Sequence, residues 1–474
     1  MSVRYRRAIA WIRRDVRVHD NAALSQACRQ SAEILPLFIL DRSILTRPDT
    51  GAARVDFLTR SLRDLQDGLT SLGGRLVLRY GVAEEELVRA ARETGAEAVF
   101  FNREYEPHLV ARDTRAVKAL QDAGVAAHTY KDQVLVEPGE LLSGALTPYV
   151  MFGAYFKAWM TRPVDAPMAA PGVIRVPEGH FGVDLPEASD LGFDVRQRIE
   201  PAGETAARPL LSEFVAGRLA DYGTNRDVPS IDGTSRLSRH LHFGTISPRT
   251  IFDAVRKASA YLSPDGQSSA ESFIRELAWR EFYIQVLYHY PRIATEAYQS
   301  EFDQIVWEND PAMVNAWRTG MTGYPIVDAA MRQLSAEGWI PNRVRMVAAS
   351  FFVKHLLCDW RLGELHFMQN LVDGDIAANN GGWQWAAGTG PSAQPYFRIM
   401  NVISQGKRYD PDGAYVKAWV PELDRVPGRM VHTPELLSDG ERDYLGCRHY
   451  PKPIVDQAER RQIALGAYRR AHRK

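Results

Sequence analysis

The chain has 474 residues, and its 58 Lys plus Arg are matched by 58 Asp plus Glu, giving a formal net charge of zero. That length exceeds one ordinary domain, so two or three are expected, and the charge balance excludes a uniformly basic nucleic-acid coat, leaving only a local patch for such a partner. Three scattered cysteines (Cys28, Cys358, Cys447) with no CxxC pair exclude a disulfide framework or a cysteine zinc site and fit a reducing cytosol.

The opening MSVRYRRAIAWIRRD is charged but lacks the apolar run of a secretory signal, and no stretch of about 18 apolar residues follows. A cytoplasmic protein without a membrane segment is expected. Over the first 135 residues, short apolar runs alternate with amphipathic stretches. Runs at 9–12, 34–40, 76–78, 98–101 and 126–130 read as buried strands. Val55, Leu58, Leu62, Leu65, Leu69 and Leu72 share one helical face before Gly73-Gly74 stops the helix. This alternation predicts an α/β fold with a doubly wound parallel sheet.

Residues 161–210 hold seven of the 27 prolines and little periodicity, which predicts a long surface connection. Beyond Leu210 the pattern is helical almost throughout, and Ser247-Pro248 reads as an N-cap and first helical residue. The expected organisation is an α/β domain at 1–135, a connection at 136–209 and an all-α domain at 210–474.

Four segments of the helical half carry chemistry. Thr234-Ser235-Arg236-Leu237-Ser238 offers hydroxyls, backbone donors and one guanidinium, a set that suits a diphosphate, although such clusters commonly just cap helices. Glu276, Trp279 and Arg280 stand at i, i+3 and i+4, so a carboxyl, an indole and a guanidinium share one face. A surface ion pair beside a half-buried tryptophan would look the same. In 342–346, Asn342 and Met346 point together while Arg343 and Arg345 fan to either side. The segment DGDIAANNGGWQW (373–385) sets two carboxylates around a glycine, then an Asn pair and a Gly pair ahead of two tryptophans. Glycines let backbone approach a ligand, amides bond the edge of a polar heterocycle, and the run fits no calcium loop. Eight of the ten tryptophans follow residue 270, which a core of bulky aromatics would also explain.

These segments, with TGYPIVDAAMRQL (322–334) ahead of Gly338-Trp339, WREFY (279–283) and the opening WIRRDVRVHDN (11–21), resemble the photolyase/cryptochrome family over essentially the whole chain. Within it they resemble the class I cyclobutane pyrimidine dimer photolyases. The resemblance implies an N-terminal α/β antenna domain and a C-terminal helical domain that holds FAD and binds damaged DNA, in a monomer. It implies light-driven repair by electron transfer from excited reduced FAD to a flipped-out dimer. On FAD it places Tyr222 and Thr234, Ser235, Arg236, Leu237 and Ser238 at the ribityl and phosphate portion. Arg345 and Asp373 match an ion pair under the flavin ring, Asp375 matches a residue binding the adenine side or ribityl chain, Gly374 between them belongs to the same cofactor-binding set, and Asn379 faces flavin N5. Glu276 matches a carboxyl at the thymine carbonyl edge, and Trp279 and Trp385 match aromatic walls for the lesion. Trp383, Trp360 and Trp307 match a relay from flavin to surface. Arg226, Arg280, Arg343, Gln405 and Lys407 match phosphate-contacting or nearby positions.

Within the family, enzymes for the (6-4) lesion carry histidines near Asn342 and Met346, and cryptochromes carry Asp or Cys where this chain has Asn379. No long polar extension follows the last amphipathic stretch. All three features point to cyclobutane-dimer repair rather than a blue-light cryptochrome photoreceptor. A dark FAD oxidoreductase is disfavoured because no GxGxxG follows a strand. His108-Leu109 stands where folate-binding relatives carry Asn-Glu. With Ala53-Arg54-Val55 and Glu106-Pro107, it favours 8-hydroxy-deazaflavin over methenyltetrahydrofolate as the second chromophore.

Overall fold

The structure is a computed structural model that describes residues 3–179 and 181–472. Five strands form on the predicted apolar runs: β1 (Tyr5–Ile12), β2 (Ser31–Asp41), β3 (Val77–Gly81), β4 (Ala98–Asn102) and β5 (Ala126–Tyr130). They build one parallel sheet in the order β3-β2-β1-β4-β5. The central strands are buried on both faces, which is why they read as continuous apolar runs.

Successive side chains enter two different cores. Ala8, Ala10 and Ile12 pack with Leu62, Leu65 and Leu69, whereas Ile9 and Trp11 pack with Leu87, Ala90 and Leu120. Helices Ala22–Gln30 and Ala52–Ser71 cover the first face, and Ala83–Thr94 and Pro107–Asp122 the second. Two helices on each face give the doubly wound arrangement expected from the alternation. Gly73, at φ +81, turns the chain just beyond Ser71, where the glycine pair predicted a stop.

Strand order reverses between β1 and β4, the place where open α/β sheets bind ligands. A buried polar knot holds their carboxyl ends together. Asn102 Nδ2 donates to Asp15 Oδ2 (2.6 Å) and to Asn21 Oδ1 (3.0 Å), and Asn21 Oδ1 also accepts from Leu24 N to cap the first helix. Nearby, Glu104 is lowered to about 2: burial alone would raise it, but Arg14, Arg13 and Arg112 outweigh that cost.

Among the described residues the proline-rich connection carries a short 3-10 turn at Ser189–Leu191 ahead of helix Glu204–Gly217, and it is pinned to the α/β region. Ile174 is buried in the first core, its N–H donates to Leu72 O (2.8 Å), and Val183 N donates to Leu78 O on β3. The chain forms two compact units. One comprises Met1–Val195, Ile199–Ala220 and Ser235–Pro291; the other comprises Arg196–Arg198, Asp221–Thr234 and Arg292–Lys474. The first unit holds the sheet and also helices Pro248–Ser259 and Pro264–His289. Ser247 caps the former by accepting from Thr250 N (2.9 Å).

The second unit is helical, with Trp317, Trp360 and Trp383 packed among Phe351, Phe352 and Phe367. Its 322–334 run proves to be a folding device. Asp328 is fully buried and accepts from Thr322 N and Oγ1, Gly323 N and Tyr450 OH, which locks the start of helix Pro325–Glu337. Among the described residues no helix is long and apolar enough to cross a membrane.

Candidate active site

In the helical unit, helix Asn342–Ser350 and the 373–385 segment bring together much of the expected cofactor set. Arg345 donates through both terminal nitrogens to Asp373 (3.2 and 2.9 Å), and its Nε donates to Ile340 O (2.9 Å). This bidentate, three-point anchoring fixes a planar cation in place before any ligand binds. Gly374 is buried beside it. Asp375 caps helix Ile376–Ala387 by accepting from Ala378 N (3.0 Å), so it shapes the loop as well as lining it.

The two asparagines that follow are not equivalent. Asn380 is buried and donates to Ile293 O (3.0 Å) and Glu364 Oε1 (3.1 Å). It is a tether. Asn379 Nδ2 donates to Glu364 O (3.0 Å), which leaves Oδ1 without a bonding partner among the described residues. With one N–H tied to Glu364 O and its Oδ1 open, Asn379 can present an acceptor, which suits a ligand nitrogen that carries a proton. Thr234 Oγ1 is likewise shielded from water and unpaired among the described residues, the kind of orphan that a polar ligand satisfies. Tyr222 is buried, with the Arg226 guanidinium 5.4 Å from its ring centre. The residues present therefore fit a polar, partly charged cofactor such as FAD.

The three tryptophans expected to form a relay share one aromatic core but differ in exposure. Trp383 and Trp360 are buried, and Trp307 is half-buried, edge-on to Tyr468 at 6.2 Å. Trp385 is half-buried against the same core. Asn342 Nδ2 lies 3.8 Å from Met346 Sδ, as their i, i+4 spacing predicted. Arg343 does not stand alone: it pairs with Asp227 at 2.7 Å, a contact that sequence spacing did not suggest. Gln405 lies on helix Val402–Tyr409, its Oε1 shielded and unpaired among the described residues. Lys407 is exposed on the same helix.

In the first unit, Ser235 Oγ accepts from Leu237 N (3.3 Å), and Arg236 sits at φ +51 in the left-handed region. A non-glycine residue held there marks a constrained turn, and it carries Ser238 at its exit. The Arg236 guanidinium donates to Glu200 (2.6 Å), so its charge is offset locally, and hydroxyls and backbone N–H groups remain the turn's natural anion donors.

On helix Pro264–His289, Glu276 and Trp279 are half-buried. Phe152 stacks on Trp279 with ring centres 3.6 Å apart and planes 7° from parallel, which fixes the indole plane and covers one of its faces. Arg280 Nη1 donates to Gln133 O (2.6 Å). The carboxyl that burial perturbs most on this helix is one that sequence reading missed, Glu281. It accepts from Leu135 N (2.5 Å), Val136 N (3.1 Å) and Trp159 Nε1 (2.7 Å). The donors favour the anion, yet desolvation outweighs them and pushes it up to about 7.

Residues 8–172 match the family described as DNA photolyase, and residues 273–470 match the FAD binding domain of DNA photolyase. A deoxyribodipyrimidine photo-lyase of Synechococcus sp. is 43% identical, over 97% of this chain and 95% of that relative. A class III photolyase from Agrobacterium tumefaciens is 36% identical with a TM-score of 0.93, covering 100% of this chain and 99% of its own. An archaeal photolyase from Sulfolobus tokodaii, solved with two FAD molecules, is 32% identical with a TM-score of 0.84, covering 98% of this chain and 100% of its own. The second matched region identifies FAD as the cofactor, in agreement with the donors and acceptors left open around Asn379 and Thr234. Motifs, fold and full-length likeness converge, and the chain belongs to the DNA photolyase family.

Proposed function

We propose that the protein repairs cyclobutane pyrimidine dimers in DNA by light-driven electron transfer, acting as a monomer. The observation that supports this substrate is the amide of Asn342 lying 3.8 Å from the thioether of Met346. Neither side chain is a proton donor of catalytic strength, so this turn suits a neutral dimer, whereas a (6-4) lesion calls for an acid. When bound, light-excited reduced FAD supplies the electron that opens the cyclobutane ring and regains it afterwards.

The chain's own residues bind, orient and exclude water. Tyr222, Thr234 and the turn through Ser238 hold the phosphate and ribityl side of the cofactor. Arg345, held by Asp373, and Asn379, through its open Oδ1, would hold the flavin ring and offer it a fixed hydrogen-bonding environment. Trp279, held flat by Phe152, and Trp385 offer stacking surfaces to the flipped bases, each worth about 1–3 kcal/mol. A dimer stacks and pairs poorly, so extruding it costs less than extruding normal bases. Glu276 bonds the carbonyl edge of the lesion. Arg226, Arg280, Arg343, Gln405 and Lys407 lie along the phosphates. Trp383 and Trp360, both buried, and the half-buried Trp307 would return electrons to an oxidised cofactor. The second chromophore would be 8-hydroxy-deazaflavin, a reading supported by His108-Leu109, Ala53-Arg54-Val55 and Glu106-Pro107.

Single-lesion oligonucleotides test the substrate. Under light, chemically reduced protein is expected to clear the cyclobutane dimer and leave the (6-4) product intact. Conversion of the (6-4) product with no loss of the dimer would reverse the assignment.

A further inference from the structure

We propose that Asp227 is a latch on Arg343 that lowers the affinity of the protein for any DNA duplex; this rests on the reading of Arg343 as a phosphate contact. Arg343 lies in the first turn of helix Asn342–Ser350. Its Nη2 donates to Asp227 Oδ2 at 2.7 Å, and its guanidinium carbon stands 4.3 Å from the centre of the Tyr409 ring. The Arg408 guanidinium lies 5.2 Å from the same ring, and Arg408 and Lys407 are exposed. One carboxylate therefore sits at the edge of a cationic patch.

Two features make the latched position exchangeable. Arg343 Nε is shielded from water and has no hydrogen-bond partner among the described residues, so the guanidinium is under-satisfied where it lies. The pair is also partly solvated, with side chains 17% and 31% exposed, and pairs of that kind hold weakly. A phosphate offers the same acceptor geometry with an oxygen to spare. On binding, Arg343 exchanges Asp227 for phosphate. The freed carboxylate then takes up a counterion and faces a like charge. Both effects subtract from the counterion release that drives binding to any sequence. Asp227 acts through Arg343, as a positioning residue, and leaves lesion preference to the aromatic surfaces.

The test is a salt titration of the FAD-loaded full-length protein on fluorescent duplexes, undamaged and dimer-containing, with Asp227→Asn, Arg343→Ala and the double variant. Flavin absorbance and melting check that each variant is folded. Asp227→Asn is expected to bind both duplexes about two- to fivefold tighter and to steepen the slope of log K against log salt by up to about one. Arg343→Ala is expected to weaken both, and Asp227→Asn to have no effect in that background. Unchanged or weaker binding by Asp227→Asn overturns the latch, as does tighter binding that persists without Arg343, since that is a plain charge effect. Should Arg343→Ala leave affinity and slope untouched, the phosphate reading of Arg343 fails first, whatever Asp227 does.

Discussion

A methyl group at position 363 is expected to dislodge the Trp383 ring. Gly363 lies in helix Trp360–Asn370, and a Cβ there would stand 2.1 Å from Cη2 and 2.5 Å from Cζ3 of Trp383, one of the three tryptophans of the proposed relay. Ordinary contact begins near 3.4 Å, so the ring or the helix must give by more than an ångström. The ring has little room, because Phe367, Phe352 and Trp317 meet it edge-on with centres 5.0, 5.8 and 6.0 Å away. Overpacking a core in this way costs about 1–3 kcal/mol, and the better helix propensity of alanine returns roughly 1 kcal/mol. The clash wins. Gly363→Ala should lower the melting temperature and slow the photoreduction of oxidised FAD by an external reductant. Chemically reduced protein should still repair dimers. Photoreduction and melting both at wild-type values would refute the reasoning, because they would mean that the Trp383 ring is not held where the glycine leaves space for it.

Three further outcomes are expected. Trp307→Phe should stop photoreduction of oxidised FAD yet leave repair intact once the flavin is reduced chemically; loss of repair in that state would make its role structural. Glu276→Ala should retain FAD but lower the repair yield per photon at saturating DNA, and an unchanged yield removes its assignment. Burial pushes Glu281 up to about 7 from an ordinary value of 4.5, so its contribution to stability is full below about 4.5 and lost as pH rises through about 7. The melting temperature of wild type relative to Glu281→Gln should therefore fall from about pH 5 to about pH 8, and a constant difference contradicts the shift.

Local pattern made much of this molecule legible. The central parallel strands could be read because burial on both faces leaves a continuous apolar run in each, and the stop after Ser71 because two glycines follow close behind it. Spacing along a helix correctly paired Asn342 with Met346. What it could not reveal are partners supplied from far along the chain. Glu281 meets Leu135, Val136 and Trp159, and Asp227 meets Arg343, all more than 100 residues apart in sequence. Phe152 reaches Trp279 across a similar distance. Nor does the Asn-Asn pair announce which amide is spent. Asn380 is the tether only because Ile293 O and Glu364 lie within its reach. The TGYP run illustrates the opposite case, a conspicuous motif whose carboxyl, Asp328, is fully occupied in holding its own turn.

The central claim is that light drives dimer repair at the FAD site of this chain. The most direct measurement follows the dimer content of an oligonucleotide during illumination of the purified, chemically reduced, FAD-loaded protein, beside an identical sample kept dark. The dimer should disappear under light with restoration of the two pyrimidines and persist in the dark. Equal persistence in both samples, with DNA bound and flavin reduced, would contradict the account.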